Sequence, residues 1–417
     1  MSRTSWAALS FCLLLWGCQR AAPEPNRAWV QVGQPGKPAG QTEKAGNKQA
    51  ASATPPGAVG EFVIEEPLRY GKLTIFPILS RESKNQDRFL TLREGLESEQ
   101  VKILEVGAAQ LPSETANGTA GSAADSPATS NRNPAAVAEV QGDVNSLLVL
   151  NTSERPLYLL PGEIIVGGKQ DRVIAQETIV PPSGKPQAVA VFCVEAGRWT
   201  RRGDGETAEV LSALSGEKSD GQRVKQLAER AKRGEFVVTA GNLGSFGRLT
   251  VQEGKGQGAV WAEVAKRNME SGAKTQSGAF TQNYVQADLS KKIDAYCERF
   301  ERPIAKQQQI VGVMIAVNDV ILWVDVFEST PLFRKLWPTL LRGFAVDAIS
   351  LPHLKSERKC SVVDAKDAML AAMESDVEKT AEQGGLEVTT RRNGDVVSFT
   401  AGGGGGFGGA VHGGGFF

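Results

Sequence analysis

The sequence contains very little histidine, and this scarcity limits the chemistry that the protein can perform. Only His353 and His412 occur among 417 residues, so a metal site built from several histidines is excluded and no metal is predicted. His353 follows Pro352, which favours a surface loop, and His412 lies in a glycine-rich stretch. A mechanism that needs a histidine base would have to use His353.

Cysteine is also scarce, and its spacing fits neither a zinc ribbon nor a CxxC redox pair. The five cysteines are Cys12, Cys18, Cys193, Cys297 and Cys360. The first two lie in the leader described below, so the other three can form at most one disulfide.

An excess of either charge is missing as well. Lys plus Arg and Asp plus Glu both total 47, which gives a formal net charge of zero. Without a basic surplus the sequence does not indicate a nucleic-acid partner. The hydrophobic content of 41% is ample for one core of domain size.

The first 18 residues have the pattern of an export signal. Arg3 supplies the positive charge, and the apolar run from Trp6 to Trp16 is too short to be a permanent membrane span. The run ends in LWGC, which resembles a lipobox, although Trp16 departs from its usual small or aliphatic residue. This predicts a lipid anchor at Cys18 and a cell-envelope location, in the outer membrane where two membranes exist, since Gln19 follows. The alternative is an ordinary secretory signal.

Composition divides the remaining chain. Residues 19–60 are rich in Ala, Pro, Gly and Gln and predict a flexible tether. Residues 61–384 carry the predicted domain, interrupted by a low-complexity surface loop at 112–134. A C-terminal hairpin is predicted at 385–401, and residues 402–417 are predicted to form a disordered glycine-rich tail.

Strand and helix patterns alternate along residues 61–401, and neighbouring strands are mostly joined by short turns. The fold class predicted is α+β, a single domain with a mixed or antiparallel sheet, central hairpins and packed helices. Strands are predicted at 73–79, 101–106, 146–150, 157–160, 164–166, 172–180, 187–195, 311–317 and 320–327. Helices are predicted at 88–100, 222–233, 258–270, 289–300 (ended by Pro303), 331–349 (kinked or restarted at Pro338) and 364–384 (ended by Gly384-Gly385).

The stretch from Gly162 to Trp199 holds the densest mixture of glycine, paired charge and apolar strand. A hairpin of strands 172–180 and 187–195 would place GGKQDR beside CVEAGRW. This predicts a site for a small or peptidic ligand; an ion-pair network without a ligand is the alternative. The candidate site residues are Glu163, Gly167, Gly168, Lys169, Gln170, Asp171, Arg172, Cys193, Glu195, Arg198 and Trp199.

A phosphate-binding loop is another interpretation of this stretch. A Walker loop is excluded, because Glu163 and Gln170 stand where glycine and a hydroxyl residue are needed. Gly167, Gly168 and Lys169 can still offer amides and one cation to a phosphate or carboxylate.

Three further features allow a functional and a structural reading. Cys193 is either a nucleophile or a small buried apolar residue. Trp199 either stacks on a ring or caps the core. Asp325 and Glu328 form a possible acid–base pair.

Three segments carry a resemblance to a known family. They are LPGEIIVGGKQDRVIAQETIVPP with VFCVEAGRW, GAVWAEV around Trp261, and VGVMIAVNDVILWVDVFESTPLFRKLWPTLLRGFAVDA. They are similar to the ARG and Rhodanese-Phosphatase-superfamily-associated protein domain, over most of residues 66–350. Gly343-Phe344 departs from that pattern, in which a pair nearer Ser-Tyr is expected.

The family name reflects association with ADP-ribosylglycohydrolases, abbreviated ARG, and phosphatase-like proteins. The resemblance implies a context of NAD or ADP-ribose metabolism but no assigned activity, and no cofactor is predicted. Two further hypotheses therefore accompany ligand binding: an enzyme acting on a nucleotide-derived substrate, and a structural envelope scaffold.

Overall fold

The structure, a computed structural model, describes residues 57–82, 84–105, 145–402, 407 and 409–417. The signal, Cys18, nearly all of the tether and the 112–134 insertion lie outside the described residues. The strands are β1 (Ala58–Val59), β2 (Phe62–Ile64), β3 (Leu68–Tyr70), β4 (Leu73–Ser80), β5 (Leu90–Thr91), β6 (Val101–Glu105), β7 (Ser146–Asn151), β8 (Leu157–Leu159), β9 (Glu163–Gly167), β10 (Arg172–Ile174), β11 (Thr178–Val180), β12 (Gln187–Cys193), β13 (Glu235–Asn242), β14 (Ile310–Val317), β15 (Val320–Phe327), β16 (Asp376–Gln383), β17 (Leu386–Asn393), β18 (Val396–Ala401) and β19 (His412–Phe416).

The helices lie mainly in the second half of the chain. They are α1 (Leu92–Glu97), α2 (Asp204–Ser215), α3 (Gln222–Lys232), α4 (Gly244–Gln252), α5 (Gln257–Ser271), α6 (Gln282–Val285), α7 (Ala287–Ala305), α8 (Thr330–Ser350) and α9 (Val362–Glu374). Together with the strands they confirm the predicted α+β class. In the part of the chain that the structure describes, no helix is long and apolar enough to cross a membrane.

Six strands close into an antiparallel barrel, in the order β10-β12-β7-β6-β13-β9. Alternate residues of these strands, such as Ile103, Ile165 and Val191, pack into one apolar cluster. A three-stranded sheet, β11-β8-β5, contributes Leu157 and Val180 to the same cluster. The barrel brings together the ends of β9, β10 and β12, where most of the candidate site residues lie.

A ten-stranded sheet forms the second half of the fold, in the order β1-β2-β4-β14-β15-β19-β18-β17-β16 with β3 beside β4. The predicted β14–β15 hairpin is confirmed: Asn318 and Asp319 have φ angles of 51° and 65°, as a type I′ turn requires. The C-terminal strand β19 pairs with β15 on one side and β18 on the other. Among the described strands, β19 is the one that joins the β16–β18 meander to the rest of this sheet.

Helix α8 lies between the two halves and is buried along most of its length. Leu336 and Trp337 belong to the cluster of the large sheet, whereas Ala345 and Val346 belong to a cluster with barrel residues. Ser329 caps the helix by accepting a hydrogen bond from the N–H of Leu332. The helix runs unbroken through Pro338, so it does not restart there; burial on both sides of the helix offsets the lost hydrogen bond.

The predicted disordered tail is wrong for residues 412–416, which form the buried strand β19. The glycines allow the strand to lie close to its neighbours: a Cβ on Gly413 would stand 2.4 Å from the Phe407 ring, and one on Gly415 3.2 Å from Val324. Glycine richness here reflects close packing rather than disorder. The predicted tether also extends too far, since Ala58–Val59 pair with β2.

The helix predicted at 364–384 ends at Glu374, and residues 376–383 form strand β16. Gly384 and Gly385, interpreted as a helix stop, form the two-residue turn of the β16–β17 hairpin, with φ angles of 55° and 79°. The helix predicted at 88–100 shortens to α1, and Pro303 lies inside α7 rather than ending it. The strand predicted at 172–180 divides into β10 in the barrel and β11 in the three-stranded sheet.

Candidate functional site

The candidate site lies at one rim of the barrel. Strand β9 ends there at Gly167, β10 begins at Arg172, and β12 ends at Cys193. Arg172 is paired with Cys193 across β10 and β12 and with Ile165 across β10 and β9. The segments GGKQDR and CVEAGRW therefore lie side by side, as the predicted hairpin required.

Gly167 and Gly168 are needed for steric reasons at this rim. Gly167 has a φ of 150°, and a Cβ there would stand 2.3 Å from the carbonyl oxygen of Glu235. Gly168 has a φ of 53°, and a Cβ there would stand 2.8 Å from Oε1 of Glu105. The glycine pair is thus explained by the tight passage of the chain between two strands.

The segment from Gly168 to Asp171 is hydrogen-bonded to other segments at each residue. The bonds are Arg198 Nη1 to Gly168 O (3.3 Å), Lys169 N to Glu105 Oε1 (2.8 Å), Gln170 Nε2 to Glu195 O (2.9 Å) and Asp171 N to Glu195 Oε2 (3.2 Å). The segment is held in one conformation, so most of its polar groups are already engaged.

Asp171, Glu195, Arg198 and Arg202 form what we call the rim network. Arg202 binds Asp171 through two bonds of 2.8 and 2.6 Å and lies 3.2 Å from Glu195. Arg198 lies 2.6 Å from Glu195 and 3.4 Å from Asp171. Both carboxylates are fully buried, while the arginine side chains are 9% and 5% exposed. Two acids and two bases balance each other, so the ion-pair interpretation explains these residues.

Hydroxyl groups complete the rim network. Thr281 donates to Asp171 over 2.8 Å, and Ser277 donates to Glu195 over 2.7 Å. Burial acts to raise the pKa of Asp171, but Arg202, Arg198 and Thr281 outweigh it, so that pKa is lowered. Asp171 is consequently ionised at neutral pH and holds the arginines in place.

Cys193 is engaged as a thiol rather than exposed as a nucleophile. Its Sγ lies 3.1 Å from Oε1 of Gln170, and Nη1 of Arg172 contacts it on another side. The side chain of Gln257 binds the backbone N–H and C=O of Cys193, each at 2.8 Å. The residue is 1% exposed. These contacts favour the structural interpretation of Cys193.

Three of the eleven predicted site residues, Asp171, Glu195 and Arg198, belong to the rim network, and Glu163, Lys169 and Trp199 are among the eight that do not. Glu163 is at the opposite end of β9, paired with Asn242, and is fully buried. Lys169 is exposed. Trp199 is 56% exposed, and its ring meets that of Trp261 edge-on at 6.4 Å, so it does not cap the core.

A cavity of about 240 Å³ opens beside the rim network, between the β9 and β13 strands and helices α2 and α3. We call it the rim cavity. Its lining includes Gly167, Gly168, Arg201, Arg202, Asp204 and Lys232, with apolar walls from Val210, Leu211 and Val237. Two of the predicted residues therefore line it. Arg201, Arg202 and Lys232 were missed, although the Arg201-Arg202 pair directly follows CVEAGRWT in the sequence.

Sequence patterns also missed a second buried charge cluster, which we call the inter-sheet network: Tyr158, Glu177, His412, Asp325 and Arg248. Arg248 binds Asp325 through two bonds of 2.6 and 2.7 Å. The His412 ring nitrogens lie 2.8 Å from Glu177 and 2.9 Å from Asp325, and the Tyr158 hydroxyl contacts Glu177. No signal pointed to this cluster, because its members, apart from Tyr158 and Glu177, come from segments far apart in the chain.

The inter-sheet network excludes the proposed acid–base pair of Asp325 and Glu328. Asp325 is fully buried on Arg248 and His412. Glu328 instead lies 3.3 Å from Arg88. Within the described ranges, no group of three or more His, Cys, Asp or Glu side chains is placed to hold a metal ion.

The fold and the rim define an α+β protein with a closed six-stranded barrel and a charge-balanced rim. Residues 61–406 match the profile of the ARG and Rhodanese-Phosphatase-superfamily-associated Protein domain. Because this match spans most of the chain, the protein belongs to that family, as its motifs predicted. No curated protein and no solved structure matches the chain.

Proposed function

We propose that this domain binds a small anionic ligand in the rim cavity. Its volume of about 240 Å³ is below the roughly 300–1,000 Å³ of pockets for drug-sized ligands, which favours a compact ligand. Three basic side chains line it, against the single acidic residue Asp204 of its lining. A phosphate or carboxylate complements that charge.

The position of Arg202 carries the proposal. Asp171 and Glu195 fix its terminal nitrogens, and its buried Nε makes no hydrogen bond among the described residues but lies 3.4 Å from Oε1 of Glu206. Arg202 also lines the cavity. A guanidinium held in place before the ligand arrives loses little conformational entropy on binding. In this proposal the two carboxylates of the rim network, Asp171 and Glu195, orient Arg202, and Arg202 is the member of the network that contacts the ligand.

Two backbone features support an anion at the same place. Helix α2 begins at Asp204, and its N-cap residue Gly203 provides no side-chain hydrogen bond. The first amides of a helix and its dipole favour negative charge. Gly167 and Gly168 allow a ligand to approach the backbone closely. The sequence suggested that Gly167, Gly168 and Lys169 offer amides and a cation to an anion. The proposal retains Gly167 and Gly168 in that role but not Lys169.

Calorimetric titration with inorganic phosphate and ribose 5-phosphate tests the proposal. We expect binding that weakens about tenfold in Arg201→Ala and in Lys232→Ala, since each loses a charge-assisted bond. Lys225→Ala is the matched control, because Lys225 is exposed on the same helix as Lys232 and does not line the cavity. Absence of binding to both probes, or equal loss in the control, contradicts the proposal.

The two alternatives from the sequence predict different results. An enzyme acting on an ADP-ribose derivative should convert that substrate and lose turnover when the rim lining is changed. A structural scaffold should bind none of these probes, while rim variants lose stability only.

We also propose that the protein is lipid-anchored at Cys18 in the cell envelope, in the outer membrane of a cell with two membranes. The LWGC motif after a short apolar run supports this. Expression with a labelled fatty acid should label the wild type, and Cys18→Ser should abolish the label. Label retained in Cys18→Ser contradicts the anchor.

A further inference from the structure

Helix α2 gives the rim cavity a lining that changes from charged to apolar along the helix. Asp204, Thr207 and Leu211 line the cavity, and their spacing of i, i+3 and i+7 places them on one face of α2. Asp204 is 77% exposed at the start of the helix, whereas Val210 and Leu211 are buried. The cavity therefore has a charged outer end and an apolar inner end.

Two of the three cations around the outer end already have acidic partners on the protein. Arg202 is neutralised by the carboxylates of the rim network. Lys232 lies 2.8 Å from Glu229, which is closer than its distance of 3.1 Å from Asp204. Because Glu229 can neutralise Lys232 without help, the negative charge of Asp204 is available to a cation on a ligand.

Arg201 is the third cation, and it lies at the same end of the cavity. It donates a hydrogen bond to the backbone carbonyl of Lys232, the residue that also contacts Asp204. It is exposed, and within the described residues no carboxylate lies at ion-pair distance from it. A guanidinium has five N–H donors, so this bond leaves most of them for a ligand. The cavity thus offers one positive and one negative charge beside an apolar wall.

We infer that the rim cavity binds an α-amino acid with an apolar side chain. Its carboxylate binds Arg201 and Arg202, and its ammonium group binds Asp204. Its side chain packs against the apolar wall formed by Val210 and Leu211. The inference rests on the proposed anion site, since the arginines bind the carboxylate there. It adds the cation that a plain anion lacks, because a carboxylate beside a bound anion is repulsive unless the ligand supplies a positive charge.

Calorimetric titration with L-leucine and three compounds that each lack one of its groups tests the assignment. Isocaproate lacks the ammonium group, isoamylamine lacks the carboxylate, and glycine lacks the side chain. We expect leucine to bind at least tenfold more tightly than each of the three, because each loses a charge-assisted bond or the apolar contact. Equal affinity for leucine and isocaproate overturns the inference.

Asp204→Asn tests the ammonium position directly. It should remove the preference for leucine over isocaproate, while isocaproate itself binds at least as tightly as before, because a repelling charge is gone. A variant that merely unfolds loses every ligand, so this opposite response keeps the test valid. Glu229→Gln is the matched control, since Glu229 also contacts Lys232 but does not line the cavity. Loss of the preference in Glu229→Gln as well contradicts the assignment to Asp204.

Inorganic phosphate distinguishes a failure of this inference from a failure of the proposed function, because phosphate needs Arg201 but no ammonium site. If phosphate binds through Arg201 and leucine does not bind, the anion site stands and the amino-acid inference fails. If neither binds, both fail. When both bind, excess phosphate should weaken leucine binding at least tenfold by competition. Leucine affinity that is unchanged in saturating phosphate contradicts a shared cavity.

Discussion

The rim network and the inter-sheet network both neutralise buried carboxylates, but they do so with different cationic side chains. Each buries two carboxylates against two cations. At the rim the cations are Arg198 and Arg202, which keep their charge at any accessible pH. In the inter-sheet network one cation is Arg248 and the other is His412, whose neighbouring carboxylates outweigh burial and raise its pKa to about 9. As the pH rises above neutral, only the second network can lose its charge balance, through deprotonation of His412.

The two networks also differ in burial and in what they join. The rim arginines keep slight exposure, and the network holds neighbouring loops at one end of the barrel. Asp325, Arg248 and His412 are 0% exposed and tie β15, α4 and the C-terminal strand together. An uncompensated charge costs more where water cannot reach it. Substitutions in the inter-sheet network should therefore be the more damaging.

The largest effect is expected from Asp325→Asn. It leaves Arg248 and His412 buried without their shared carboxylate, so the free energy of unfolding should fall by about 4–5 kcal/mol. Urea denaturation followed by circular dichroism measures this. Arg358→Ala, which breaks a surface pair with Asp364, should leave the midpoint almost unchanged. Equal losses in both variants would remove the distinction between buried and surface pairs.

Asp171→Asn should have a smaller effect, a loss of about 3 kcal/mol, because Glu195 still contacts both rim arginines. The same denaturation experiment compares it with Asp325→Asn. The triple change of Gln170, Asp171 and Arg172 to alanine should destabilise the fold further, since all three side chains are buried. Unchanged stability in the triple variant would instead indicate that these three side chains are free to bind a ligand.

Alkaline pH should reduce the stability contributed by the inter-sheet network but not that contributed by the rim network. The folded-state pKa of His412, about 9, is above its unfolded value of 6.5. Its contribution is therefore fully present below about pH 6.5 and is lost as the pH rises through about 9, on the order of 2–3 kcal/mol. Unfolding free energies measured at pH 6 and pH 9.5 should fall more in the wild type than in His412→Gln. Parallel profiles would show that His412 is not charged in the folded protein.

The smallest effect concerns Glu163, which belongs to neither network. Its folded-state pKa of about 7 is above the unfolded value of 4.5, so ionisation destabilises the fold as the pH rises between these values. Glu163→Gln should be more stable than the wild type by about 1–2 kcal/mol at pH 7.5 and equal to it at pH 4.5. A variant less stable at pH 7.5 would mean that the charged carboxylate has an unseen partner.

The predictability of the two networks follows from the sequence separation of their members. Asp171, Glu195, Arg198 and Arg202 lie within one hairpin and its continuation, so alternation and turn residues indicated three of them. Thr281 donates to Asp171 from 110 residues away in the chain, and no local sequence pattern predicts this contact. His412 was assigned to a disordered tail because glycine-rich sequence usually lacks structure. Its strand is stabilised by packing between β15 and β18, which no window of sequence reveals.

The sequence alone determined the α+β class, the hairpin turn at Asn318-Asp319, and the family. These depend on local periodicity, turn chemistry and contiguous motifs. Only the tertiary structure decided that the barrel closes, that the rim charges neutralise one another, and that the C-terminal strand completes the large sheet. Those outcomes depend on contacts between segments far apart in the chain, where burial and pairing, not local preference, set the free energy.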